Sequence, residues 1–537
     1  MRKKNAFGKV ITATSAACAV GLLLAGCGAA NTDTAGGKPH ITIMVNTGST
    51  QISPGKQGWA KELAKEAGVD ITWQNTGDSA WTNQRNAILA SGDLADITIR
   101  GFSPSDAQRN AGAFEDLSKD LDKLPNVQAF FKAKPLARKL VEKDGTIYTL
   151  PSSRGKAYQA SGQHMLINKA WLDKLGLEVP KTWDELTKVL EAFKTQDPNG
   201  NGEADEYPID LRPLDTSNLG NWWSPFLFLN STGIVTQFNN GPSSSGIYVE
   251  NGKVKNWAIS DEFRQVIEYL HQLTADGLAP STWVTKQIDT YWNEIKGDGE
   301  KVGKVGVLFT WDQSNIANWG TSLNEEYIGI PVPAAPGVSQ SEVVWDASRE
   351  YNEYEDYKLS MSANTKYKDA CLKVINLLYS EKYSVQQLRG TISEGYLKQD
   401  GHTYTVEQKF YDAANEGKTP ALEDRLAGWI PDDVTIVNDT AADSMQKIDR
   451  VYDDQYANYD MTKDAMPIYV RLDSADTNTF ANNNAAIYDY AIPVISSWIV
   501  KGGLDDASWN AYVKQLKSLN IDQNTEMWQK AYDEQVK

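Results

Sequence analysis

Short β-branched runs and amphipathic helical stretches alternate along the chain from residue 40 onward. "HITIMVN" (40–46) predicts a strand, a helical stretch begins near Gly58, and "VDITWQN" (69–75) predicts a second strand. "WTNQRNAILASGD" (81–93) reads as a second helix and "LADITIR" (94–100) as a third strand. Strands and helices at this spacing build an α/β layer around a parallel sheet. Ligands of such sheets gather beyond the carboxyl ends of the strands. Here those ends are Asn46-Thr47-Gly48-Ser49, Asn75-Thr76-Gly77-Asp78 and Gly101-Phe102-Ser103. Each alone reads as a plain turn, but the three together predict a polar rim. Asn46 and Asp78 are therefore candidate ligand contacts, and Trp81, just past Asp78, is a candidate stacking residue.

Further along, "DGTIYTLPSSRG" (144–155) leads through a short irregular piece into "HMLINKAWLDKLGLEVPKTWDELTKVLEAFK" (164–194). The last part has the grammar of a capped helix. Thr182 is the N-cap, Glu185 closes a capping box, and Leu186, Val189, Leu190 and Phe193 share one face. The helix runs into "TQDPNGNGEADEYP" (195–208), a glycine-punctuated loop of acids and asparagines. Calcium takes six to eight oxygens, which a short loop supplies at alternating positions. Asp197, Asn199 and Asn201 occupy loop positions one, three and five, Gly202 the sixth, Glu203 offers its carbonyl at the seventh, and Asp205 is the ninth. The twelfth position departs from the EF-hand pattern, because Pro208 stands where a bidentate Glu belongs. Glu206 is the natural substitute. The expectation is a structural Ca2+ held by Asp197, Asn199, Asn201, Glu203, Asp205 and Glu206, set against the plainer reading of a solvated Asx turn.

The N-terminus decides the compartment. Arg2, Lys3, Lys4 and Lys9 precede an apolar stretch through Leu24, and Leu24-Ala25-Gly26-Cys27 resembles the lipobox of bacterial lipoproteins. Residues 1–26 are then a signal peptide, Cys27 the acylated residue, and 27–38 a flexible tether. The alternative is an ordinary cleaved secretory signal. With Cys18 removed and Cys27 acylated, only Cys371 remains, so no intrachain disulfide forms. Loss of the four basic leader residues takes the formal charge from −17 to −21, which repels nucleic acid and anionic membrane surfaces. Membrane contact is expected through the lipid alone.

The chain holds 17 Trp and 24 Tyr but 4 His, a balance that favours stacking on neutral ligands over proton shuttling or zinc binding. No H-E-x-x-H, G-x-S-x-G, P-loop, zinc cysteine pair or dinucleotide fingerprint occurs. An extracellular glycosidase stays open as an alternative, because its two carboxylates need no local motif. A scaffold lipoprotein without a small ligand is a third class.

"MLINKAWLDKLGLEVPKTWDEL" resembles the start of the second lobe in maltose-binding-protein-type solute receptors. "KVGKVGVLFTWDQSNIANW" (301–319) is similar to their Trp-bearing strand and loop, "YIGIPVPAAPG" (327–337) to the next strand, and "KLSMSANTKYKDACLKVINLLYSEK" (358–382) to the return into the first lobe. The ending "WNAYVKQLKSLNIDQNTEMWQKAYDEQ" (509–535) resembles the extended lipoprotein branch of family 1 extracellular solute-binding proteins. The resemblance implies an α/β, two-lobe periplasmic-binding-protein-like fold with a hinge and an inter-lobe cleft. The first lobe would comprise 39–154 and about 346–385, the second 155–345 and about 386–537. It further implies a monomeric, non-enzymatic receptor that passes an oligosaccharide to ABC permease subunits. A plant-derived sugar such as a β-manno-oligosaccharide is one such ligand, and peptide is the competing class. Trp311 matches the position of a sugar-stacking Trp in these receptors. Trp222 and Trp223 in "GNWWSPF", Tyr158, Trp345 in "VVWDAS", and Arg154 at the crossing complete the expected ligand set.

Overall fold

A computed structural model describes residues 37–536 apart from 49, 204, 240, 297–300 and 319. The signal peptide, Cys27 and nearly all of the tether lie outside the described residues. The expected first strands form: β1 (His40–Asn46), β2 (Asp70–Thr76) and β3 (Ile97–Ile99), the last shorter than its predicted run. β1 pairs in parallel with both neighbours, setting Ile43 beside Ile97 and Val45 beside Ile99. Two further strands, β4 (Thr149–Ser153) and β9 (Tyr354–Met361), complete the order β2-β1-β3-β9-β4, with β9 antiparallel to β3 and to β4.

Ile41, Ile43, Val45, Ile97, Ile99, Leu359 and Met361 from this sheet are buried in one core. Helices Gly58–Ala67 and Lys368–Leu378 contribute Trp59, Leu63, Leu372 and Ile375 to it. Cys371 is buried there too, and burial raises its thiol pKa to about 11, as expected of a packing residue.

The second sheet contains β5 (His164–Asn168), β6 (Tyr207–Asp210), β7 (Val305–Thr310) and β8 (Tyr327–Ile330) in the order β8-β5-β7-β6. β7 and β8 run antiparallel to β5, and β6 parallel to β7. Its core takes Leu186, Val189, Leu190 and Phe193, the face predicted for the helix Trp183–Thr195. Thr182 caps that helix by accepting from the Glu185 N–H at 3.2 Å. The expected capping box is modified, because the Glu185 carboxylate accepts from the Lys181 N–H at 2.7 Å, one residue earlier than the Thr182 amide. The tail helices Ser474–Lys501, Asp506–Ser518 and Ile521–Val536 bury Ile495, Trp509, Leu516 and Ile521 in the same core.

The chain passes from the first sheet to the second between β4 and β5 and returns between β8 and β9. Within 386–430, expected in the second lobe, several residues pack on the first instead. Thr391 Oγ1 accepts from the Trp59 N–H at 2.9 Å, Thr419 O accepts from the Ile52 N–H at 2.9 Å, and Leu422, Ala427 and Trp429 enter the first core. Leu388, Leu397, Tyr404, Phe410 and Leu426 of the same stretch form a separate core with Tyr158, Ala160 and Met445. Pro39–Lys537 forms one compact unit containing both lobes.

Strand directions decide which loops meet. β4 ends at the crossing and runs parallel to β3, since both are antiparallel to β9; the carboxyl ends of β1 to β4 therefore point at the second lobe. β5 begins at the crossing, so its antiparallel partner β7, and β6 with it, end facing the first lobe. The loops after Asn46, Ile99, Asp210 and Thr310 all face the space between the lobes.

Candidate functional site

The second-lobe wall is aromatic. Trp311 follows β7 directly, and Trp222 and Trp223 lie in the loop region after β6. Trp222 stands 5.9 Å from Trp311 and 6.0 Å from Trp223, and Trp223 meets Trp311 edge-on at 6.4 Å. Trp292, on the helix Ile288–Glu294, packs against Trp223 at 5.3 Å. All four indoles are partly exposed. Such a cluster offers faces for sugar C–H stacking.

The first-lobe wall is ionic. Asp78 accepts from Arg425 Nη2 at 2.9 Å and from Arg100 Nη1 at 3.1 Å, and Arg425 Nη1 also donates to Asn46 Oδ1 at 3.2 Å. The hydrogen bond from Arg425, with both guanidinium charges, holds the Asp78 carboxyl below its usual range. The Asp78 side chain is 62% exposed, whereas those of Arg100 and Arg425 are 17% and 12% exposed. Behind them the buried Lys358 pairs with Glu355 at 2.8 Å.

Backbone strain marks the same place. Among the described non-glycine residues with positive φ, the only ones that are neither Asn nor Asp are Arg100 (54°), Trp223 (56°) and Glu423 (54°). Each sits on or beside one of these two walls. Side chains larger than Asn or Asp rarely occupy this region, and strained backbone of this kind concentrates at binding sites.

Several expected contacts play other parts. Trp345 is fully buried, stacks on Tyr452 at 4.1 Å and donates its N–H to Gln163 O at 3.0 Å, so neither face is open to a ligand. Trp81 is also core, bonded to Gly101 O at 2.8 Å and packed edge-on against Phe102 at 5.0 Å. Tyr158 is buried at the crossing, its hydroxyl held by Arg389 and Asp439. Arg154 donates through Nε to Asn352 O at 2.9 Å and lies over the Tyr158 ring at 4.3 Å, tying the two crossings together. Asn46 is 4% exposed and acts from behind, through Arg425. Arg100, Arg425 and Trp292 were not anticipated; the only sequence signal for Arg100 was its position at the end of a predicted strand.

The 197–206 loop folds as a series of Asx turns. Asp197 accepts from the Gly200 and Gly202 amides at 2.9 and 3.1 Å, Asn199 from Asn201, and Asn201 from Glu203. Gly200 and Gly202 sit at φ 76° and 82°, the left-handed bends that loop requires. Glu206 Oε1 is buried without a hydrogen-bond partner, and burial together with the charges of Asp197 and Asp205 raises its pKa. Asp205 is held low by the Asn201 amide and by Lys304 at 3.2 Å. Among the described residues no group of three or more His, Cys, Asp or Glu converges on a metal position.

A cavity of about 820 Å3 lies elsewhere between the lobes, lined by Lys139, Tyr148, Asp356, Tyr469, Phe480 and Trp528 among others. It abuts Thr149 at the start of β4 and Ser103 just past β3, and includes none of the four clustered tryptophans.

Two lobes joined by crossing segments, with an aromatic wall facing an ionic one, define a hinged ligand-binding protein. Residues 47–385 match the family model for bacterial extracellular solute-binding proteins, and the chain belongs to that family. It is 30% identical over 565 residues, 99% of each chain, to the fructooligosaccharide ABC transporter substrate-binding protein FusA of Streptococcus pneumoniae. Among solved structures it resembles a human-milk-oligosaccharide (HMO) binding, ABC-transporter-associated solute-binding protein from Bifidobacterium longum infantis. That match has 47% identity and a TM-score of 0.88, and covers 93% of this chain and 99% of the other. FusA with kestose, and a FusA EF-hand mutant with fructo-nystose, each match at 27% identity and TM-score 0.75 over 92% of this chain and 99% of theirs. The family is one of receptors, not of enzymes, and among the described residues no helix is long and apolar enough to cross a membrane.

Proposed function

We propose that the chain is the capturing receptor of an ABC importer and that it holds an oligosaccharide between the tryptophan wall and the Asp78–Arg100–Arg425 wall. The observation that carries this reading is the convergence of Trp222, Trp223, Trp292 and Trp311, each partly exposed, on the face opposite that ion-paired cluster. Sugar ring faces stack on indoles while hydroxyls pair with carboxylate and guanidinium groups. Closure of the lobes around the ligand gives the permease subunits a state distinct from the empty one. The 47% identity to the milk-oligosaccharide receptor favours neutral milk-type glycans over fructo-oligosaccharides and over the β-manno-oligosaccharides expected earlier.

The protein works as a monomer tethered to the outer face of the membrane by acylated Cys27. Ca2+ binds the 197–206 loop through Asp197, Asn199, Asn201, the Glu203 carbonyl, Asp205 and Glu206. The partnerless buried Glu206 oxygen and the mutual charge of the three acids support that assignment, as does the EF-hand of the relative FusA. The ion's part there is to neutralise the acids and fix the loop. Calorimetric titration with milk-type, fructo- and β-manno-oligosaccharides and with peptides tests the reading. Saturable binding of one glycan class supports it, and binding of peptides alone overturns it.

A further inference from the structure

The aromatic wall is braced where the crossing segment enters the second lobe. Trp223 Nε1 donates to Gly162 O at 2.8 Å, and the Trp223 backbone N–H donates to Gln163 Oε1 at 2.7 Å. Gln163 is fully buried, and its amide nitrogen is in turn anchored on Phe238 O. The Trp311 carbonyl accepts from Nδ1 of the fully buried His164. That bond requires the proton on Nδ1, and the ring lies nearly parallel to Tyr452 at 6.1 Å. Gly162, at φ 67°, lies against Trp311 so closely that an added Cβ would stand 2.7 Å from the indole.

Gly162 and Gln163 end the segment that crosses between the lobes, and His164 is the first residue of β5, opposite Thr310 of β7. The same stretch is tied to the return crossing, because Trp345 Nε1 donates to Gln163 O at 3.0 Å and the Asn352 amide donates to Ala160 O. The segment beside the hinge therefore sets the backbone of two ligand-facing indoles. Trp223 keeps a left-handed backbone at φ 56°, which costs of order 1 kcal/mol or more unless its surroundings hold it. The Gln163 and Gly162 bonds are what hold it.

We propose that Gln163 and His164 are positioning residues for ligand stacking: Gln163 fixes Trp223 and His164 fixes Trp311, so the angle between the two indoles is set by the inter-lobe crossing. This rests on the reading that the tryptophan wall receives the sugar. The consequence is a direct coupling, in which rotation of the lobes about the crossing and the fit of the stacking surface cannot change independently.

The test uses the full chain and a glycan that the unaltered protein binds. Gln163→Met, which keeps the length but removes both hydrogen bonds, is expected to weaken binding about tenfold. In a Trp223→Ala background the same change should cost no further affinity, whereas a general packing role predicts full additivity. His164→Asn retains a donor for the Trp311 carbonyl and should restore most of the affinity that His164→Leu loses. Near-ultraviolet circular dichroism of the ligand-free variants supplies a readout independent of any sugar. Gln163→Met and His164→Leu should alter the tryptophan bands and His164→Asn should not. Unchanged bands in Gln163→Met and His164→Leu, or additivity with Trp223→Ala, overturn the proposal. Altered bands in a protein whose parent binds no glycan would instead overturn the ligand reading while leaving the positioning intact. Should Gln163→Met fail to fold, the His164 pair decides.

Discussion

Arg425 and Asp78 are 347 residues apart in the chain and pair at 2.9 Å on the first-lobe wall. The segment that packs unexpectedly on the first lobe thus supplies the guanidinium that orients the exposed Asp78 carboxylate. Removing it should affect binding more than folding, because the Asp78 carboxylate it orients is 62% exposed and keeps Arg100 as a partner. Arg425→Ala is expected to weaken glycan binding about tenfold or more while leaving the melting temperature within a few degrees. Titration calorimetry and thermal unfolding check both halves, and an unchanged affinity would remove Arg425 from the site.

The tryptophans should divide into two groups by the kind of damage their loss does. Trp222→Ala and Trp311→Ala are each expected to lose about 1–2 kcal/mol of glycan affinity with the fold retained. Trp345→Ala, which empties the stack against Tyr452, is expected to cost about 3–5 kcal/mol of stability. Trp81→Ala should likewise destabilise. Denaturant titration beside binding measurements separates the groups, and a Trp345→Ala protein of normal stability would contradict this assignment.

Chelation should lower the melting temperature of the chain and change glycan affinity little, since the 197–206 loop lies in the second lobe away from the tryptophan cluster. Asp197→Ala should mimic the chelated protein and become insensitive to added calcium. Loss of glycan binding with an unaltered melting curve would move the metal into the binding site.

Asp210 makes a pH prediction. It is fully buried at the end of β6; burial outweighs its 2.6 Å pairing with Lys286 and lifts its pKa from 3.8 to about 6. A carboxyl with a raised folded pKa holds its proton more tightly in the native state. Its stabilising contribution is complete below the unfolded value near 4 and fades as pH rises through 6, by up to about 3 kcal/mol. Asp210→Asn removes that titration, while Lys286 keeps Glu294 at 2.7 Å. Melting temperature of the two proteins between pH 4 and 7 should show the wild type falling relative to the variant, and parallel profiles would refute the shift.

What the sequence revealed follows from how local each signal is. β1 and β2 were legible because β-branched residues cluster within seven-residue runs. The helix before the 197–206 loop was legible because its cap and apolar face lie within a dozen neighbours. Trp311 was singled out through the resemblance of its loop to the Trp-bearing loop of these receptors, and it does follow β7 directly. Trp345 was misread, because "VVWDAS" carries no trace of the Tyr452 ring that covers it in space. Arg425 was missed for the same reason: its acidic, turn-rich surroundings have no period, and its partner is in the first hundred residues. The left-handed backbones of Arg100, Trp223 and Glu423 leave no mark in residue type, since all three are uncommon there.

The central claim is that a glycan is trapped between the lobes against the tryptophan wall. Small-angle scattering of the chain with and without saturating oligosaccharide tests it most directly, with Trp311→Ala beside the wild type. The wild type with glycan is expected to have a smaller radius of gyration, peptides to leave it unchanged, and Trp311→Ala to need about tenfold more glycan for the same contraction. A wild-type radius unaffected by every glycan that binds, or contraction of Trp311→Ala at the same glycan midpoint as the wild type, would contradict it.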